Sequence, residues 1–274
     1  MASTLTIALI SDVFLGPDGA ERLLKRLREA RERGAELAVL PELPLNPWSP
    51  ATRQTREEDA EMPGGPRQQQ LAAAARAERI AVVGGAIVCD PATKVRYNTA
   101  LVYDALGDLV AWYRKVHLPD EEGFHEPAHY APGTRPPAVI RRFALPVGLQ
   151  VCSDLNRPEG CHLLGAMGAE AILAPRATEA ATWERWRTVM VANAMTSCLY
   201  VASVNRPAPE QGVPLGGPSC VVAPNGAIVL ETREPLALAT LDRHAVAEAR
   251  TKYPGYLKVE AALYAEGWKV VAGA

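Results

Sequence analysis

Three short stretches, far apart in the chain, each end on a reactive side chain. They are Leu40-Pro41-Glu42-Leu43, Tyr113-Arg114-Lys115-Val116-His117-Leu118-Pro119 and Gly148-Leu149-Gln150-Val151-Cys152-Ser153-Asp154. Glu42, Lys115 and Cys152 each close an apolar run that reads as a β-strand, and open α/β sheets place their chemistry at strand carboxyl ends. A carboxylate, an ammonium and a thiol are what cysteine-based acyl transfer needs: a base, an oxyanion stabiliser and a nucleophile. A free thiol has a pKa of about 8.5, so Cys152 needs a base to take its proton or a cation to favour its anion. The helix expected to begin at Pro158 offers an N-terminus for that purpose. Lys115 supplies a compact ammonium that can point at one oxygen, and the backbone N–H of Ser153 is the expected second donor. The three side chains are expected to end neighbouring strands and to meet at one buried point. A Cys-His pair is the competing chemistry, but neither His117 nor His162 has a recognisable orienting partner in the sequence.

These residues also carry a family resemblance. The chain resembles the nitrilase, or carbon-nitrogen hydrolase, superfamily, whose members use Glu, Lys and Cys in this order to cleave C–N bonds. Further matches are Pro158-Glu159, Gly165-Ala166-Met167-Gly168-Ala169-Glu170, Asn205-Arg206, and Gly217-Pro218-Ser219 followed by Pro224-Asn225-Gly226. They extend the likeness from Ile7 to about Leu230. The resemblance implies an α/β fold of four layers, an α-β-β-α sandwich. It implies a cofactor-free amidohydrolase that forms a Cys thioester from a small-molecule amide, carbamoyl or nitrile substrate and releases ammonia or an amine. It also implies a fourth member, Glu126, ahead of Pro132-Gly133, orienting the lysine or the attacking water; Glu121 and Glu122 are rivals for that role. Amidase or carbamoylase is expected over nitrilase, because the chain lacks the C-terminal extension common in nitrilases. The alternatives are a nitrilase, transfer to an amine instead of water, and a non-catalytic member that binds a ligand or partner on the same scaffold.

The sequence departs from the family pattern in places. Ser153 follows the nucleophile where relatives carry an aromatic residue or Asn. Ser11 replaces a common glutamine, and Asn193-Ala194-Met195-Thr196-Ser197 stands where Arg-Ala-x-Glu-Asn is usual. Arg157 replaces an aromatic residue before Pro158, and Arg176 replaces a small hydroxyl residue. Two inward-facing arginines could clamp a substrate carboxylate through paired hydrogen bonds.

Composition narrows the remaining classes. With 274 residues, 48% of them hydrophobic and 22% charged, the chain reads as a soluble globular protein. A net charge of −2 gives no basic footprint for nucleic acid. No apolar run approaches the ~20 residues of a membrane span, and the N-terminal residues lack the basic n-region of a signal peptide. The five cysteines, Cys89, Cys152, Cys161, Cys198 and Cys220, are odd in number and lack Cys-x-x-Cys spacing, which argues against disulfides or a zinc site. A reducing cytoplasm is expected.

The elements that must position the site follow from periodicity and punctuation. Strands are predicted over Thr4–Ile10, Glu36–Leu40, Ile80–Val88, Pro137–Phe143, Val147–Val151, Ala171–Ala174, Leu199–Val204, Ser219–Val222 and Ala227–Leu230. A hairpin is predicted from Tyr97–Tyr103 and Leu109–Arg114, and helices over Pro17–Gly34, Pro66–Arg79, Pro158–Met167 and Thr182–Thr196. Each half reads as β-α-β-α-β followed by a hairpin-like pair. Two long loops, Leu43–Pro63 and Val116–Pro136, start just after Glu42 and Lys115 and are expected to wall the pocket. One domain spanning 1–274 is expected. Tyr253, Tyr256, Leu257, Leu263, Tyr264 and Trp268 give the tail after about 250 more apolar surface than a free tail should expose, which predicts a homodimer or larger assembly.

Overall fold

The computed structural model describes residues 3–273. In chain order the strands of its first half are β1 (Thr4–Ile10), β2 (Leu37–Val39), β3 (Ala60–Glu61), β4 (Ala81–Cys89), β5 (Arg96–Tyr103), β6 (Leu109–Arg114), β7 (Asp120–Glu121) and β8 (Phe124–His125). The second half supplies β9 (Val147–Leu149), β10 (Ala171–Arg176), β11 (Tyr200–Asn205), β12 (Ser219–Val222), β13 (Ile228–Thr232) and β14 (Leu236–Asp242). The helices are α1 (Gly19–Glu32), α2 (Pro66–Glu78), α3 (Glu126–His129), α4 (Pro158–Ala166), α5 (Trp183–Ser197), α6 (Arg243–Thr251) and α7 (Ala261–Ala272).

The first sheet has the order β14-β1-β2-β4-β5-β6, with β3 beside β4, and the second has the order β13-β12-β11-β10-β9. In both, three parallel strands are followed by two antiparallel ones: β1, β2, β4 then β5, β6, and β9, β10, β11 then β12, β13. The two layers anticipated from the halves are thus present, with β14 added as an antiparallel partner of β1.

Alternation along β1 shows the layering. Leu5, Ile7 and Leu9 join a core that also holds Val147 and Leu149 of the other sheet. Ala8 and Ile10 face Leu23, Leu27, Leu71 and Ala75 of α1 and α2. Successive strand residues point to opposite faces, so a strand buried on both sides needs apolar residues at every position. Trp186 and Met190 of α5 and Leu164 of α4 cover the second sheet. The result is the α-β-β-α sandwich. Among the described residues, no helix is long and apolar enough to cross a membrane.

Two expectations need correction. Pro137–Phe143 is no strand; only Ile140 bridges to Val147, because paired prolines before it and Arg141-Arg142 within it leave little to pair or bury. Glu42, Lys115 and Cys152 do not end neighbouring strands: β2 and β6 are separated by β4 and β5, and β9 lies in the other sheet.

Candidate active site

Glu42 stands three residues beyond β2, where the chain leaves the sheet through Leu43 in the left-handed region at φ 49°. A bulky residue in that conformation needs its surroundings to hold it, and Arg206 does so. Its Nη1 donates to the carbonyls of Glu42 (2.8 Å) and Leu43 (3.0 Å), and its Nη2 to that of Asn46 (2.9 Å). Glu210 pairs with the same guanidinium at 2.8 and 2.6 Å. The Glu42 backbone N–H donates to the carbonyl of Arg176 at 3.4 Å, tying this strand end to the second sheet.

Lys115 follows β6 directly and is fully buried. Its Nζ donates to Glu42 Oε1 at 2.9 Å and to Glu126 Oε1 at 2.6 Å. Asn98 on β5 donates its Nδ2 to the same Glu42 oxygen at 2.7 Å. Burial works to lower the pKa of an ammonium, but the charges of Glu126 and Glu42 outweigh it and hold Lys115 above its ordinary value. Glu126 opens the single turn α3, and burial, aided by the charge of Glu42 and opposed by Lys115, pushes its pKa up to about 8. Its rivals Glu121 and Glu122 are exposed. The second carboxylate oxygens of Glu42 and Glu126 are both buried without a protein partner.

Cys152 opens a 3-10 turn, Cys152–Asn156, that separates β9 from α4. The helix N-terminus expected at the sulfur is therefore displaced by a five-residue turn. Its backbone is left-handed at φ 48°, its side chain is 3% exposed, and its Sγ lies 3.5 Å from the carbonyl of Ala177. Burial raises the thiol pKa, Glu42 adds to the rise and Lys115 opposes it. Ser153 is the second residue of the turn, where a backbone N–H has no acceptor within its own helix.

The two arginines do not form a clamp. Arg157 is exposed. Arg176 is fully buried and donates to Ser203 Oγ at 3.1 Å, Thr178 Oγ1 at 2.5 Å and the carbonyl of Pro218 at 2.5 Å. Its guanidinium lies over the rings of Trp183 and Trp186. Its contribution near the site comes from its backbone, which accepts the Glu42 N–H.

Both long loops contribute to one apolar cluster: Leu43, Trp48, Phe124 and Tyr130 pack with Ala177, Val213 and Leu215. Trp48 donates its indole N–H to the carbonyl of Gly123 at 2.8 Å. Gly123 has φ 79°, and an added Cβ would come within 3.1 Å of Val213, so this turn needs glycine. The part played by the segment after Arg206, through Val213 and Leu215, was not foreseen. Asn98, Asp154 and Arg206 were not singled out for a role either; the available signal was a polar residue inside or just after an apolar strand. His117 does have an orienting partner, since its Nδ1 lies 2.9 Å from Asp154 Oδ1. Among the described residues, no group of three or more His, Cys, Asp or Glu side chains is arranged to hold a metal ion.

Residues 17–251 match the carbon-nitrogen hydrolase family. An omega-amidase from Homo sapiens is 29% identical over 220 residues, covering 76% of this chain and 78% of that protein. Saccharomyces cerevisiae Nit3, a solved member of the nitrilase superfamily, superposes with a TM-score of 0.79 at 28% identity, covering 95% and 97% of the two chains. A mutant of an amidase from Nesterenkonia sp. AN1, solved with the acetamide moiety of fluoroacetamide added covalently at its active-site cysteine, gives a TM-score of 0.77 at 26% identity, covering 96% and 97%. The fold, the family match and these relatives converge: the chain belongs to the carbon-nitrogen hydrolase family, in the amidase branch of the nitrilase superfamily, and hydrolyses C–N bonds other than peptide bonds.

Proposed function

We propose that hydrolysis proceeds through a thioester on Cys152. The observation that carries this reading is a fully buried ammonium held between two carboxyl groups, 2.9 Å from Glu42 and 2.6 Å from Glu126, in a chain whose Cys152 thiol is also buried. Glu42 takes the thiol proton as Sγ bonds to the amide carbon. The carbonyl oxygen becomes an oxyanion that accepts from Lys115 Nζ and the Ser153 N–H. Glu42 returns its proton to the leaving nitrogen, the C–N bond breaks and ammonia departs. Water then gives a proton to Glu42 and its oxygen to the thioester carbon; the acid leaves and the thiol is restored. Glu126, neutral below about 8, orients Lys115 and spares the site a second negative charge. A mutant of the Nesterenkonia amidase carries the acetamide moiety of fluoroacetamide covalently at its active-site cysteine, which supports a cysteine nucleophile here.

The apolar cluster of Leu43, Trp48, Phe124, Tyr130 and Leu215 suits a short, uncharged acyl group. The buried Glu42 carboxylate repels an anion, and Arg176 and Arg206 are committed to protein acceptors. Ammonia release should therefore be faster from butyramide than from succinamic acid, by about ten-fold or more, since an unpaired charge in an apolar pocket costs more than 1.4 kcal/mol. Wild-type protein should also show an acyl-sized mass increase on the peptide containing Cys152 when quenched during turnover. Turnover without that adduct, in a Cys152→Ala variant, would refute the thioester.

A second reading concerns assembly. Every residue of α7 is exposed, including Leu263, Tyr264, Trp268, Val270 and Val271. A mostly apolar helix, whose Glu266 and Lys269 pair with each other, belongs against a covering surface, so we place it at the contact of a homodimer or larger assembly, with exposed Leu163 of α4 and Met167 just after it as further candidates. Five free cysteines fit a reducing cytoplasm, and reduction of the purified protein should leave its activity unchanged.

A further inference from the structure

The Asp154 carboxylate lies between the two segments that carry Lys115 and Cys152, and it is fully buried. Its Oδ1 accepts from the backbone N–H of Val116 (3.2 Å), the backbone N–H of His117 (2.9 Å) and His117 Nδ1 (2.9 Å). Its Oδ2 accepts from the Tyr113 hydroxyl (3.0 Å) and the Val151 N–H (3.1 Å). Four of these five donors flank Lys115 within two residues on either side, and the fifth immediately precedes Cys152. Gln150 donates its Nε2 to the Tyr113 hydroxyl at 3.3 Å, which leaves the hydroxyl proton for Asp154. The lysine strand and the nucleophile turn belong to different sheets and share no ladder.

From this geometry we infer that Asp154 is a positioning residue: it sets the separation of Lys115 and Cys152 and holds Cys152 in its left-handed conformation. A charged acceptor with several donors is stronger and more directional than a neutral one, and left-handed backbone at a non-glycine residue persists only where its surroundings over-determine it. The inference rests on Cys152 as the nucleophile. Asp154 touches no reacting atom.

Asp154→Asn separates the possibilities. With its oxygen toward Val116 and His117, the asparagine would turn its NH2 at the Val151 N–H, donor against donor, at the peptide preceding Cys152. A misplacement of about 1 Å costs on the order of 100-fold in rate, so kcat for butyramide should fall by about that factor while KM stays within about three-fold. Labelling by iodoacetamide, read peptide by peptide, should slow at Cys152. Cys161 and Cys220, both fully buried, should stay unlabelled. Loss of activity with new labelling of Cys161 and Cys220 would mean that Asp154 serves the fold alone, and would overturn the inference. So would a folded variant with wild-type kcat and wild-type Cys152 labelling. Should the variant not fold, Tyr113→Phe removes one donor only: a kcat lowered about three-fold or more supports the inference, on the scale of one lost hydrogen bond, and an unchanged kcat overturns it. If wild-type protein shows no adduct on Cys152 during turnover, the nucleophile assignment fails instead.

Discussion

The floor of the site and the C-terminal segment violate the usual partition of side chains in opposite directions. At the floor, Glu42, Lys115, Glu126 and Cys152 are exposed by 1%, 0%, 0% and 3%. In the segment from Lys252 onward, Tyr253, Leu263 and Trp268 are exposed by 75%, 68% and 53%. Charged groups are buried only where other charges and hydrogen bonds meet them, and the floor meets that condition with ion pairs, Asn98 and the Arg206 brace. Large apolar groups stay exposed in quantity only where something else covers them, and among the described residues nothing covers α7. The first anomaly is resolved within the molecule and points to chemistry. The second is unresolved within it and points outward.

The contrast can be broken at either end. Cys152→Ala should lower turnover by on the order of 10⁵–10⁶-fold and leave the fold intact; ammonia release near the wild-type rate would remove the floor's claim to the chemistry. Lys115→Met strands the buried Glu42 carboxylate, and breaking a buried ion pair from one side costs about 3–5 kcal/mol. Urea unfolding should show that loss, and an unchanged midpoint would mean that the Lys115–Glu42 pair contributes nothing to stability. Glu126→Gln probes its proton. The folded pKa is raised to about 8 by burial, so the stability this group contributes is present below the ordinary carboxylate range and is lost as pH rises through about 8. The ionised form also adds a negative charge beside Cys152. Wild-type kcat/KM should therefore decline above pH 8, by up to about ten-fold per unit for one proton, and Glu126→Gln should be free of that decline and gain in relative thermal stability between pH 5 and 9. The smallest effect on the folded chain belongs to the tail. Leu263→Glu combined with Trp268→Glu should change its stability by less than about 0.5 kcal/mol while reducing the mass found by light scattering to that of a monomer. A wild-type monomer at micromolar concentration would refute the covered-tail reading.

Much of the fold was legible because parallel strands buried on both faces announce themselves as unbroken apolar runs, as in Ala81–Cys89 and Ala171–Arg176. Helix starts at Pro66 and Pro158 followed from proline at the first helical position. The end of the chain was not legible in the same way. Leu236–Asp242 alternates like a strand, but its partner Thr4–Ile10 lies at the other end of the sequence, and no local signal names such a partner. The reactive residues were readable by type, since each interrupts or ends an apolar run. Their supports were not, because Arg206 and Asp154 act mainly on backbone groups of distant segments. The proposed arginine clamp failed for a related reason: a guanidinium's charge is visible in sequence, whereas the hydroxyls, carbonyl and indoles that enclose Arg176 are not.

The pairing of β14 with β1 has a consequence in time. β1 leaves the ribosome early and its outer partner late, with most of the chain made in between. At about 5–20 residues per second the nascent protein carries that open edge for roughly ten seconds or more. An unpaired apolar edge is a template for pairing with another chain, and no residue before Leu236 offers β1 a strand on that side. Premature termination between β13 and β14 should therefore yield a product that contains every residue of the site and yet aggregates. The late strand shields the nascent sheet from neighbouring polypeptides, and transient chaperone binding during translation should end when residue 242 has cleared the exit tunnel.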